Sequence, residues 1–327
     1  MSFPHQRPRR MRRTSALRAL IRETELAPRQ LIAPLFVKEG IADAAPIPSM
    51  PGQFQHTLES LRKEAAAIAS RGVTAFMLFG VPERKDAEGS EAWNPQGIAQ
   101  LALRTLREEL GDDHVVIADL CLDEYTDHGH CGVLTDDGNV DNDATLERYR
   151  RIAVAQAEAG AQMVGPSGMM DGQVAAIRDA LDTTGHDGVG IVAYAAKFAS
   201  ALYGPFRDAA ECAPKFGDRT GYQLDPANSD EAIREILTDI DEGADIVMVK
   251  PAVPYLDVIR RAKDATAFPM AAYHVSGEYA MIKAAAQNGW LDERRVVLET
   301  LTSIRRAGAD LILTYYAKDA ADWLTQG

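Results

Sequence analysis

Apolar and polar positions alternate along the chain in blocks rather than residue by residue. Eight runs are apolar almost throughout: Leu31–Val37, Ala75–Val81, Val115–Leu122, Gln162–Ser167, Gly190–Phe198, Asp245–Ala252, Met270–Ser276 and Leu311–Ala317. Runs of this length, rich in β-branched residues, read as strands buried on both faces. Between them the apolar positions recur at helical spacing. In Asn228–Asp241, Ile233, Ile236, Leu237 and Ile240 follow i, i+3, i+4, i+7, with Asn228 and Glu231 placed as an N-cap and its N3 partner. In Asp292–Ala307 the stripe is Val297, Leu301 and Ile304. Glycine stands where a helix must give way to a strand, at Gly72, Gly160, Gly243 and Gly308, each followed by valine or alanine. There it takes the left-handed position that stops a helix. Eight strands alternating with helices predict an α/β protein, a single (β/α)₈ TIM barrel over residues 23–327. The competing arrangement, a doubly wound open sheet, lacks its usual glycine-rich phosphate loop after the first strand.

A barrel of this kind carries its chemistry at the C-terminal ends of its strands. Read in order, those ends offer Asp119 with Cys121, Ser167, Lys197, Lys250, His274 with Ser276, and Tyr315. Lys250 closes the apolar run Asp245–Ala252 and is followed at once by Pro251. A lysine near an apolar core loses hydration of its charged form, which favours the neutral amine, a nucleophile toward carbonyls. The other reading is a side chain that snorkels into solvent. Lys197 ends the preceding run in the same way. Adjacent strands lie about 5 Å apart, so the two ammonium groups should each depress the other's pKa. After Lys197 comes a long interval, about 199–223, with Tyr203-Gly-Pro-Phe206-Arg207 and Phe216-Gly-Asp-Arg219. Its aromatics, glycines and two arginines suit a lid over an anionic substrate, and a solvated surface loop is the alternative.

Charge and composition narrow the function. The net charge of −13 argues against nucleic acid as a partner. The chain has no apolar run of the 18 residues that a membrane span needs. Its three cysteines, Cys121, Cys131 and Cys212, are too few for a disulfide framework and fit a reducing cytoplasm. Residues 1–22 carry seven arginines and no acid before Glu23, while the remainder sets 28 basic residues against 48 acidic ones, a net −20. That asymmetry fits a basic N-terminal arm docked on an acidic surface, its own or a neighbour's, and equally an organelle transit peptide.

Several stretches together carry a family resemblance. They are Met248-Val-Lys250-Pro251-Ala, Ala196-Lys197-Phe-Ala-Ser-Ala-Leu-Tyr-Gly-Pro-Phe-Arg207, Pro166-Ser-Gly-Met-Met-Asp-Gly172 and Tyr273-His-Val-Ser276-Gly-Glu, with Cys121-Leu-Asp-Glu-Tyr-Thr-Asp-His-Gly-His-Cys131-Gly and the opening Arg7-Pro-Arg-Arg-Met-Arg-Arg. From about residue 7 to Trp323 the chain resembles the porphobilinogen synthase (5-aminolevulinate dehydratase) family. The resemblance implies a hydro-lyase that condenses two 5-aminolevulinate molecules to porphobilinogen, losing two waters, in tetrapyrrole synthesis. It implies Schiff bases on Lys250, for the substrate that becomes the propionate side, and on Lys197, for the acetate side. Asp119 and Ser167 would line the reacting centre. Arg207, Arg219 and Gln223 would hold one substrate carboxylate, Ser276 with Tyr315 the other, and Tyr203, Phe206 and Tyr273 would line the pocket. It also implies a homo-octamer whose arms embrace adjacent subunits, and no organic cofactor.

The metal segment departs from the family's zinc form, which has three cysteines. Here the middle position is aspartate, leaving Cys121, Asp123 and Cys131 as zinc ligands, with His128 and His130 nearby. Two thiolates and a carboxylate still make a zinc set, but the carboxylate hardens it. We therefore expect activity to lean on magnesium more than on zinc. In the family's magnesium forms an allosteric ion sits at a glutamate matching Glu235, reached by an arginine of a neighbour's arm, here Arg12. Gly168 and Ala195 are smaller departures, where an acid and a serine are common. Two other readings compete. A Schiff-base aldolase needs only one lysine and a phosphate loop not evident here. A silent structural barrel would tolerate loss of a lysine or of the lid arginines, and all are present.

Overall fold

The computed structural model describes residues 3–325. The eight apolar runs form eight parallel strands: β1 (Leu31–Lys38), β2 (Ala75–Val81), β3 (Val115–Leu120), β4 (Met163–Pro166), β5 (Gly190–Lys197), β6 (Ile246–Lys250), β7 (Met270–His274) and β8 (Leu311–Thr314). They pair in chain order, and β8 closes on β1 with Leu31 opposite Ile312 and Ile32 opposite Leu313. The result is the closed (β/α)₈ barrel that the alternation predicts. A small antiparallel pair, Ala45–Pro46 and Phe54–His56, extends from β1.

Helices Leu58–Ala69, Ile98–Leu110, Asn142–Glu158, Gln173–Thr183, Ser229–Asp241, Leu256–Thr266 and Glu293–Ala307 fill the seven crossovers, and Ala317–Thr325 follows β8. Gly72, Gly160, Gly243 and Gly308 all have positive φ, from 85° to 130°, where a Cβ would be strained. Val297, Leu301 and Ile304 are fully buried, as the stripe predicts.

Three sequence expectations need correction. Most strands end earlier than their apolar runs, so Cys121, Ser167, Ser276 and Tyr315 lie one or two residues beyond the ladder. Ser276 instead opens the helix Ser276–Gln287, and Ala317 opens the last helix. In Ser229–Asp241 the buried face is turned toward Ala232, Ile236 and Asp239, and Leu237 is 44% exposed. Asn228 makes no capping bond; its side-chain amide donates to Glu231 at 2.9 Å.

The N-terminal arm holds only short local elements. It contains a 3₁₀ turn at Pro8–Arg12 and a short helix, Ser15–Leu20, whose cap Thr14 accepts from Leu17 N. No residue from Phe3 to Arg22 is buried, and Phe3, Leu20 and Ile21 are exposed apolar side chains.

Candidate active site

Lys197 and Lys250 end β5 and β6 and stand directly opposite each other in the ladder. Counting back to the pair Val192–Ile246 gives five residues on β5 but four on β6, because an irregularity between Ala193 and Ala196 inserts one extra residue. Side chains alternate faces along a strand, so five steps without a bulge would put Lys197 on the face opposite Lys250. The bulge turns both amines to one side.

That side is buried and aromatic. Lys250 Nζ lies 4.5 Å from the ring centre of Tyr273, 5.0 Å from those of Tyr203 and Phe206, and 5.2 Å from that of Tyr194. Burial, reinforced by the charge of Lys197 and only partly opposed by Asp119, pushes its pKa down to about 7. Lys197 behaves oppositely. Its Nζ donates to Ser167 O at 2.6 Å. Burial pulls its pKa down, but Cys131, Cys121 and Asp123 outweigh that and leave it raised. The expected mutual depression is thus one-sided, because the neighbouring acidic groups outweigh burial at Lys197 but not at Lys250. One amine titrates near neutral pH while its neighbour stays an ammonium.

Asp119 and Ser167 sit at the same place. Ser167 Oγ donates to Asp119 Oδ2 at 3.3 Å, and Asp119 Oδ1 is buried without a partner. Burial and Asp123 raise the Asp119 pKa to about 7. A carboxyl and an amine that titrate together near neutrality can exchange a proton at little cost.

The segment after β5 folds down over the amines. It holds a 3₁₀ turn, Ala201–Tyr203, and a helix, Gly204–Ala210, and rejoins the sheet where Phe198 pairs with Leu224. Tyr203 Oη donates to Phe198 O at 2.8 Å, and Phe206 packs on Phe79 and Phe36 at 5.1 and 5.7 Å. Phe206 N donates to Ser276 Oγ at 3.0 Å, which pins this helix to the top of β7. Tyr273 and Tyr315 share a hydrogen bond of 2.8 Å. Arg207 Nε and Gln223 Nε2 are buried donors with no acceptor. Such groups are costly unless something supplies one. Arg219 is engaged elsewhere. It pairs with Asp123 at 2.9 Å and donates to Gly129 O and Cys212 O at 2.9 and 2.8 Å.

Asp123 belongs to a buried cluster in which donor atoms of Cys121, Asp123 and Cys131 all lie within 4.8 Å of one another. Burial pushes Cys121 well up. Burial also pushes Cys131 up, but a hydrogen bond from Cys121 and the charge of Arg219 bring it down to about 7. Despite burial, Arg219 and Lys197 hold the Asp123 carboxyl far below its ordinary range. Two sulfurs and a carboxylate oxygen at this spacing fit a small divalent cation, and Arg219 already neutralises part of their charge. His130 is turned to the lid instead, 3.2 Å from Tyr222 Oη and 3.1 Å from Phe216 O, and His128 lies 3.4 Å from Ala87 O. Neither histidine joins the cluster among the described residues.

Glu235 lies elsewhere, half-buried on the rim of a cavity of about 730 Å³ shared with Asp171, Glu231 and the lid residue Gln223. Burial and the charges of Asp171, Glu231 and Glu242 raise its pKa. His274 faces away from the amines, toward Thr314 Oγ1 at 3.1 Å and the ring of Tyr316. Sequence reasoning missed Tyr194, whose ring lies near both amines, at 5.9 Å from Lys197 and 5.2 Å from Lys250. Plain alternation counted back from Lys197 runs through Ala195 and Ala193 and passes Tyr194 by, and only the bulge turns it to the side of the amines. Cys212, also missed as a site residue, is buried beside Asp123 and receives Arg219 on its carbonyl.

Known proteins resemble this chain along nearly its whole length. The family model for delta-aminolevulinic acid dehydratase matches residues 5–323. A delta-aminolevulinic acid dehydratase of Mycobacterium tuberculosis is 62% identical over 326 residues, covering 99% of each chain. That of Bacillus subtilis is 50% identical over 326 residues and covers all of both. A crystal structure of the Toxoplasma gondii enzyme, delta-aminolevulinic acid dehydratase (porphobilinogen synthase) in complex with the product porphobilinogen, superposes with a TM-score of 0.96 at 47% identity, over 98% of this chain and 92% of that one. The protein with two in-register lysines belongs to the delta-aminolevulinic acid dehydratase family.

Proposed function

We propose that the protein is a porphobilinogen synthase, a hydro-lyase that joins two molecules of 5-aminolevulinate to porphobilinogen and releases two waters. One observation carries the reading: Lys197 and Lys250 are ladder partners in one buried pocket, with their pKa values driven in opposite directions. Lys250, titrating near neutral pH, keeps a large neutral fraction that can attack the keto carbon of the first substrate. Imine formation at each lysine expels one water, and each iminium draws electrons from the adjacent carbon, easing the new carbon–carbon bond. Ring closure returns both lysines as amines. Asp119, held by Ser167, is placed to carry protons at the reacting centre. The unpartnered Arg207 Nε and Gln223 Nε2 would take one substrate carboxylate, and Ser276 with Tyr315 the other. Arg219 supports that wall through its pair with Asp123.

Cys121, Asp123 and Cys131 are the residues that would hold zinc, which supplies Lewis acidity beside the second substrate when bound. Glu235, facing Asp171 and Glu231, would hold a regulatory magnesium ion reached by Arg12 of a neighbouring arm. Porphobilinogen formation from 5-aminolevulinate, measured after chelation with each metal returned separately, tests both the function and this ranking. Product should form, and magnesium should restore more of the rate than zinc, since a carboxylate in place of a thiolate weakens a soft-metal site. Loss of activity in Cys121→Ala/Cys131→Ala at saturating magnesium would reverse the ranking, and no product under any condition would remove the function.

The exposed arm, with seven arginines and exposed Phe3, Leu20 and Ile21, fits docking on a neighbour in a homo-octamer. Deleting residues 1–13 should give a smaller particle in sedimentation velocity and lower activity, with circular dichroism unchanged. Unchanged size and rate would make the arm dispensable. No helix among the described residues is long and apolar enough to cross a membrane. Three buried unpaired thiols suit the reducing cytoplasm.

A further inference from the structure

The helix Asn142–Glu158 turns an unusual face to the core. Thr145, Tyr149, Ile152 and Gln156 follow i, i+4, i+7, i+11, one stripe of the helix, and all four are buried. Three of them are polar, and each is spent on the backbone of the site. Thr145 Oγ1 accepts from Val133 N at 3.1 Å, Tyr149 Oη donates to Cys131 O at 2.7 Å, and Gln156 Nε2 donates to Asp119 O at 2.7 Å.

Two glycines fit against this stripe. A Cβ on Gly132 would overlap Thr145 Oγ1, and a Cβ on Gly168 would overlap Tyr149 Oη. The backbone at 132 and 168 therefore approaches the helix as closely as it does only because both residues lack a side chain. Gly168 follows Ser167, whose carbonyl accepts the bond from Lys197 Nζ and whose hydroxyl bonds Asp119. Tyr149 Oη also lies 3.8 Å from Cys121 Sγ. One hydroxyl thus meets the Cys131 carbonyl, the Cys121 sulfur and the peptide next to the Lys197 anchor.

We infer that Tyr149, seated against Gly168, is a positioning residue that sets Lys197 and the Cys121–Cys131 pair relative to Lys250. The hydroxyl of Tyr149 fills the volume that any side chain at 168 would need, so the two positions form one unit. A bulkier residue at 168 must push the Ser167 carbonyl, and with it the Lys197 amine, out of place. Lys250 stands on the next strand with its own aromatic surround and is not held by this contact.

The inference rests on the two-lysine reading, and the test separates the two. Wild type, Tyr149→Phe, Gly168→Ala and the double variant are compared for kcat and KM, for borohydride-trapped 5-aminolevulinate on Lys250, and for melting temperature. Failure of the two-lysine reading appears in wild type, as no Lys250 adduct. For the inference, Tyr149→Phe should lower kcat about 10-fold with KM within about 2-fold and the Lys250 adduct intact. Gly168→Ala should lower kcat about 100-fold, and adding Tyr149→Phe should recover about 5-fold of that, a non-additivity expected only of a coupled pair. The recovery is partial because Tyr149 Cζ would still be 2.7 Å from the new Cβ. A kcat for Tyr149→Phe within about 2-fold of wild type, with or without a lower melting temperature, overturns the inference. So does a double variant whose loss is the product of the single losses. If Gly168→Ala does not fold, Tyr149→Phe alone decides.

Discussion

Lys250→Ala should reduce porphobilinogen formation to background, a loss of about 10⁴-fold or more for removal of a covalent nucleophile. Borohydride should then trap no 5-aminolevulinate at this site. Arginine would not substitute, because a guanidinium cannot be deprotonated in this pH range. Lys197→Ala should behave differently. The first substrate should still be trapped on Lys250, but no product should form. The charge of Lys197 is also one of the causes that depress Lys250, so its removal should shift trapping to higher pH. Full activity in either variant would rule out the two-lysine mechanism.

The second large effect is expected at the lid. Arg207 Nε is buried with no acceptor, and a substrate carboxylate would supply one. A hydrogen bond between charged groups contributes about 1.5–3 kcal/mol, so Arg207→Ala should raise KM about 10- to 100-fold. Imine formation at Lys250 should survive at saturating substrate, since Phe206 and Ser276 hold the lid helix independently. Arg219→Ala should also raise KM, with an added cost in stability. It leaves Asp123 buried without its partner, which is worth about 3–5 kcal/mol and should read as a lower melting temperature. An unchanged KM in Arg207→Ala would make the segment a surface excursion.

Much of this is legible in the sequence because it depends on local pattern. Apolar runs mark the strands, Gly72, Gly160, Gly243 and Gly308 mark where helices stop, and both lysines stand where runs end. What stays hidden depends on contacts between distant segments. The bulge that turns Lys197 toward Lys250 lies in Ala193–Ala196, a stretch of small residues and one tyrosine with no turn residue to announce it. The opposite pKa directions of the two lysines come from Cys121, Asp123 and Cys131, brought beside Lys197 by the loop after β3. Arg219 reads as a substrate binder from its lid position, and only the fold shows Asp123 beneath it. The exposure of Leu237 is of the same kind, because helical spacing sets the width of an apolar stripe but not the face that docks.

Burial and the charge of Lys197 bring Lys250 down to where a neutral nucleophile is available near physiological pH. The most direct measurement is the pH dependence of borohydride trapping of 5-aminolevulinate, with the adduct located by peptide mass. Neutral amine is the attacking form, so labelling should be low in acid and rise with pH. It should level off after an apparent pKa near the value of about 7 that Lys250 and Asp119 share, with the label on Lys250. Labelling that rises only near the ordinary lysine pKa of about 10.4, or that falls on Lys197 first, would rule out a depressed Lys250 as the first nucleophile.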